Sequence, residues 1–197
     1  MGKGRVEAFS DGVIAILITI MVLELKVPHG ESLAALAPLL PVFLSYMLSF
    51  VFLGIYWNSH HHLLHATTKV TGGILWANLH LLFWLSLVPF TTAWMGENHI
   101  AAIPVALYGL NLLLTAAAYT LLQSLIVRSE GPQSVLNGAL GGWKENTSLV
   151  FYILAIPAAF WQQWVSIGLF VTVAIIWLVP DPRIERALGS RHGAPSV

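Results

Sequence analysis

Long apolar runs separated by short polar joints divide this chain. The first covers about residues 6–26, the second 33–57, the third 73–95 and the fourth 100–127. Each is close to the ~20 residues a helix needs to cross a bilayer. A last run, from Thr147 to Pro180, is too long for one crossing. Its middle reads Trp161-Gln162-Gln163-Trp164. Two aromatics around two amides suit a hairpin turn at a membrane interface. That divides the run into two short helices, with Pro157 bending or breaking the first of them. The pattern therefore predicts an all-α, polytopic membrane protein with six transmembrane helices. It forms one domain over residues 1–182, followed by a flexible cytoplasmic tail over 183–197. No internal duplication stands out.

Composition sharpens this picture. Apolar residues make up 57% of the chain and charged residues 9%, against ~25% charged in a typical soluble domain. Mean hydropathy is +0.77. The formal net charge is zero, so no basic face suggests nucleic acid. The chain has no cysteine, which excludes disulfides and thiolate metal sites. The first run does not read as a signal peptide. It holds internal acidic residues, lacks a small-x-small cleavage site and ends in Glu24 and Lys26. The positive-inside rule sets the orientation. With the N-terminus in the cytoplasm, Lys3, Arg5, Lys69, Arg128, Lys144, Arg183, Arg186 and Arg191 share that side, and only Lys26 faces the other. An even number of spans, with both termini cytoplasmic, preserves the asymmetry.

The first run carries the most chemistry. It opens Arg5-Val6-Glu7-Ala8-Phe9-Ser10-Asp11-Gly12 before turning oily. Charge at membrane depth is costly and usually has a partner. Further along, Ile16, Thr19, Ile20 and Leu23 share one helical stripe with a single polar member. Several copies of this helix around an axis would stack rings of Ile16, Ile20 and Leu23 with one ring of Thr19 hydroxyls. Apolar constrictions gate by dewetting, and hydroxyls replace part of an ion's hydration shell. Periodicity alone equally fits lipid-facing or core aliphatics, which are commoner. Arg5 has an ordinary reading as an interfacial anchor, and Ser10 as an N-cap with Asp11 favoured by the helix dipole. Arg5 and Asp11 are six apart and do not face each other on one helix. Asp11 is expected to pair across helices, with His80, Asn78, Trp57 or Asn58 as donors.

His60, His61, His62 and His65 cluster after the second run. His61 and His65, four apart, share a helical face, a spacing able to hold zinc, nickel or a haem iron. No third carboxylate or cysteine ligand follows nearby, so no metal and no cofactor is expected. His61 and His65 remain the alternative, as a histidine-dependent divalent-metal transporter or a haem-binding membrane enzyme. His80 lies inside the third run and needs a partner, for which Asp11 is the candidate. Asn111 and Gln123 are expected to bond to neighbouring helices. Pro89 and Pro104 are expected kinks or helix ends. The chain contains no G-x-x-x-x-G-K, G-x-S-x-G or H-E-x-x-H, so it does not read as an enzyme.

These residues carry a resemblance. Arg5-x-x-x-Phe9-Ser10-Asp11-Gly12, with Ala15-Ile16, Thr19 and Leu23-Glu24-Leu25, resembles the signature first helix of the endolysosomal potassium-channel family and its short bacterial homologues. Trp57-x-x-His60-His61, then Asn78 to Leu82-Phe83 and Pro89-Phe90-Thr91, resemble that family's second and third helices. The resemblance implies a potassium-permeable cation channel in a bacterial inner membrane, with lipid and K+ as its partners. It implies one six-helix unit per chain and a homotetramer whose first helices line the pore, without a Thr-Val-Gly-Tyr-Gly filter. The narrowest ring would fall on Ile16, the polar ring on Thr19, and further apolar rings on Ile20 and Leu23. Ala15 stands where some animal members have a pore-lining serine, which implies modest selectivity. Arg5, Phe9, Ser10 and Asp11, with Trp57 and His80, would brace the pore helix rather than touch ions.

Overall fold

The computed structural model describes residues 2–131 and 142–179. The predicted tail over 183–197 lies outside them. The described residues form seven α-helices and no strand: α1 (Lys3–Leu23), α2 (Leu40–Ala66), α3 (Gly72–Ser86), α4 (Val88–Glu97), α5 (Ala102–Glu130), α6 (Trp143–Trp161) and α7 (Gln163–Leu178), with a 3-10 segment over Leu33–Leu39 before α2. Among the described residues, four stretches are long and apolar enough to cross a membrane: Lys3–Leu23, Leu33–Ala66, Gly72–Glu97 and Ala102–Glu130. Helix α7 is a shorter apolar helix. The six-helix, all-α reading holds, with the third crossing built from α3 and α4 in series.

Several boundaries differ from the sequence reading for physical reasons. Helix α1 starts at Lys3 and passes through Ser10, so Ser10 caps nothing. Helix α2 runs nine residues beyond Trp57. The histidine cluster therefore lies on its last turns rather than after it. The third span breaks at Leu87, just before Pro89, which has no N–H to donate and whose ring crowds the carbonyl four residues back. Asn111 of α5 satisfies that break. With its amide nitrogen toward the Trp84 carbonyl (3.0 Å) and its oxygen toward the Val88 N–H (3.3 Å), it bridges the carbonyl and the N–H that a continuous helix would have joined. Pro157, by contrast, does not end α6, which continues to Trp161. The chain turns instead at Gln162, in extended backbone (φ −157°, ψ 106°) between the two tryptophans.

α6 and α7 fold back on each other as an antiparallel hairpin. Ser166 donates to the Ala155 carbonyl (2.7 Å) near the turn, and Trp177 donates to Ser148 Oγ (2.9 Å) near the open end. Lys144, nearly buried, donates to the Val179 carbonyl (2.6 Å) and lies 6.0 Å from the Trp177 ring. The stem of such a lysine covers apolar surface while its head finds a carbonyl at the helix end.

Two apolar clusters make the core. One joins α1, α2, α3 and α5 through residues such as Ile14, Leu53, Leu64, Leu81 and Leu122. The other joins α2, α4, α5, α6 and α7 around Phe52, Tyr108, Leu112 and Phe170. α2, α4 and α5 belong to both, α4 through Val88 and Met95. Between them a buried hydroxyl chain has a fixed direction. Thr92 donates to the Val88 carbonyl (2.6 Å), so its proton is spent. Ser49 must therefore donate to Thr92 (2.6 Å), and Tyr108 to Ser49 (3.0 Å).

Candidate functional site

One face of α1 is built for packing and the other is left bare. Val6, Ser10, Ile14, Leu17 and Met21 recur every three or four residues and are all buried. The opposite face carries Gly12, Ala15, Ile16, Thr19, Ile20 and Leu23, all exposed. Ile16 is 57% and Leu23 79% exposed. The four predicted stripe residues thus lie together on the unpacked side of the helix. Thr19 Oγ1 is within hydrogen-bond reach of the Ile16 carbonyl (2.9 Å) and the Ala15 carbonyl (3.2 Å), and donates back into its own helix. Its proton is committed inward, and its oxygen lone pairs remain available as acceptors.

The packed face is fixed by polar contacts. Asn78 of α3 donates to Ser10 Oγ at 2.9 Å. Its amide oxygen then accepts from His60 Nε2 of α2 at 2.7 Å, which requires that nitrogen to carry the hydrogen. Ser10, His60 and Asn78 are all buried. A buried amide paired on both sides in this way favours one register of α1, α2 and α3. Beside it, Trp57 Nε1 donates to Asp11 Oδ1 at 3.0 Å. At the start of α1, Lys3 donates to the His65 carbonyl at 2.7 Å, a cation on the C-terminal carbonyls of α2. Beyond the end of α1, Lys26 donates to Glu97 at 2.8 Å. That hydrogen bond, and then the charge of Glu97, raise the Lys26 pKa from its usual value. Both side chains are largely in solvent, where such a pair contributes little to stability.

Asp11 pairs with Trp57, one of the four donors the sequence left open, and His80 does not join them. His80 is exposed and accepts from Trp84 of its own helix at 2.9 Å. Asn78 and His80 are two residues apart, so they point to different sides of α3, and only Asn78 faces α1. The histidine in the network is His60, which sequence reasoning grouped with its exposed neighbours. Arg5 and Phe9 are exposed, so neither is packed into this network within one chain. His61 and His65 lie on the exposed side of α2 in one ring column with Trp57. Among the described residues no three His, Asp or Glu side chains converge on a metal-sized site.

The fold and this pattern define a polytopic α-helical membrane protein whose first helix is braced on one face and bare on the other. The family model for the endosomal/lysosomal potassium channel TMEM175 matches residues 5–89. A potassium channel of Chryseobacterium is 57% identical over 189 residues, covering 95% of this chain and 98% of that one. The endosomal/lysosomal proton channel TMEM175 of Gallus gallus is 36% identical over 124 residues, 54% of this chain and 25% of that longer protein. The crystal structure of a lysosomal potassium-selective TMEM175 homologue from Chamaesiphon minutus superposes with a TM-score of 0.79 at 28% identity, covering 89% of this chain and 96% of that one. The chain belongs to the TMEM175 family.

Proposed function

We propose that this chain is a potassium-permeable cation channel, with four copies arranged so that the bare face of α1 surrounds a central axis. The observation that carries this reading is the division of α1 into two faces. Its packed side is held by buried hydrogen bonds, while its exposed side from Gly12 to Leu23 is apolar except for Thr19. Family membership places it among channels rather than enzymes. In the assembly Ile16 forms the narrowest ring and gates by wetting and dewetting. Thr19 supplies a ring of acceptor oxygens that replaces part of the ion's water. Ile20 and Leu23 extend the apolar wall, and Ser10, Asp11, Trp57 and His60 hold the helix upright. The charge asymmetry supports an orientation with both termini in the cytoplasm.

Ile16→Asn tests the gate. A polar ring holds water where an isoleucine ring expels it, so the variant is expected to conduct more. Potassium flux from proteoliposomes, with single-channel conductance in a planar bilayer, reads the effect. Currents equal to wild type would remove Ile16 from the constriction.

A further inference from the structure

We infer that His61 and His65 form a two-imidazole chelate for a borderline divalent transition-metal ion, of which Zn2+ is the redox-silent example. Their spacing of four residues on the continuous last turns of α2 places both rings on one helical face, the register in which paired histidines hold zinc. The ring centroids lie 6.0 Å apart with planes 23° from parallel. A metal bonded at about 2.0–2.1 Å to one nitrogen of each ring would hold the centroids roughly 5–6 Å apart. A modest turn about the soft Cβ–Cγ bonds suffices. Both side chains are exposed, and among the described residues no hydrogen bond engages either ring. Trp57 packs against His61 from the other side (6.1 Å, 26°), so one ring of the pair is already oriented. His62 does not belong to the chelate. It meets His61 edge-on (65°) and, one residue further along, projects from a different part of the helix.

The site offers only nitrogen donors, which suit zinc, nickel and copper and not the hard cations magnesium and calcium. With two protein ligands, water completes the coordination. The site is a property of the chain's surface and stands apart from the pore reading.

Equilibrium dialysis of the full chain, purified in detergent without a polyhistidine tag, tests it with Zn2+ and with Mg2+. One Zn2+ per chain and no Mg2+ is expected. His61→Ala and His65→Ala should each weaken Zn2+ binding at least about tenfold, while His62→Ala and His99→Ala leave it unchanged. The altered side chains are exposed, and an unchanged size-exclusion profile shows that each variant keeps its fold. No saturable Zn2+ binding by the wild type, or binding that survives both His61→Ala and His65→Ala, overturns the assignment. So does an equal loss in His62→Ala.

Discussion

Thr19 commits its only hydroxyl proton to its own helix, so whatever approaches the bare face of α1 meets oxygen lone pairs. An alanine there keeps the helix and removes the oxygen. Thr19→Ala is therefore expected to lower the preference for K+ over Na+ roughly two- to tenfold, the effect of losing one polar contact of about 0.5–1.5 kcal/mol. Reversal potentials under bi-ionic conditions measure it, and a potential that does not move would take Thr19 out of ion selection. Asn78 acts at the same scale on stability. Asn78→Leu strips a buried acceptor from His60 and a buried donor from Ser10. Each orphaned group costs about 1–3 kcal/mol in a water-soluble core, and polar contacts between membrane helices run nearer ~0.6 kcal/mol. The expected result is a lower thermal midpoint in detergent than wild type, and lower than Asp11→Ala, whose carboxylate is only half-buried. If Asp11→Ala is the less stable of the two, the buried network is not the main fastening of α1.

At the scale of elements, α2 and α4 are held by a close approach that no larger residue permits. A Cβ on Gly96 would stand 2.7 Å from Val42 Cα and 3.3 Å from Val42 Cβ. The obstacle is backbone, so Gly96→Ala must push the two helices apart. The same substitution at Gly109 meets the tip of the Phe170 ring at 2.9 Å, which can swing aside. Gly96→Ala should therefore destabilise the protein by about 1–3 kcal/mol, and by more than Gly109→Ala. Thermal unfolding of the two variants side by side checks the order, and equal midpoints would mean that α2 and α4 separate easily. Elements were the most readable level of this sequence. Each apolar run is long enough to be a helix, and the turn at Gln162 sits between Trp161 and Trp164 because amides leave a bilayer where tryptophans mark its edge. The bare and packed faces of α1 follow from period alone once one face is known to be buried. What period could not reveal is which way α3 turns. Asn78 and His80 both lie inside its apolar run, and the choice between them depends on packing against α1. Likewise, nothing in the run of histidines distinguishes His60 from His61, because adjacent positions on α2 face a buried network and open surface. The break at Leu87 was signalled by Pro89. Its compensation by Asn111 needed the distance between α3 and α5.

Under the proposed assembly, the division of the core between its helices bears on where the copies would meet. α1 belongs to the core cluster with α3, while α6 and α7 pack into the other cluster with α4. A cyclic assembly around the bare face of α1 puts Leu23 near the axis and the outward face of α7 toward lipid. Because the native chain has no cysteine, single thiols can be introduced without a background. Leu23 and Ile175 suit the comparison, since both are apolar and exposed, on α1 and α7 respectively. Under a short bifunctional maleimide, Leu23→Cys protein in detergent is expected to give cross-linked pairs on a denaturing gel. It cannot yield larger products, since each copy carries one thiol. Ile175→Cys should stay monomeric on the same gel. Native mass measurement of either variant before cross-linking should give four times the 21.5 kDa of one chain. If Ile175→Cys pairs and Leu23→Cys does not, the copies meet through α7, and the bare face of α1 must look into lipid rather than across a pore.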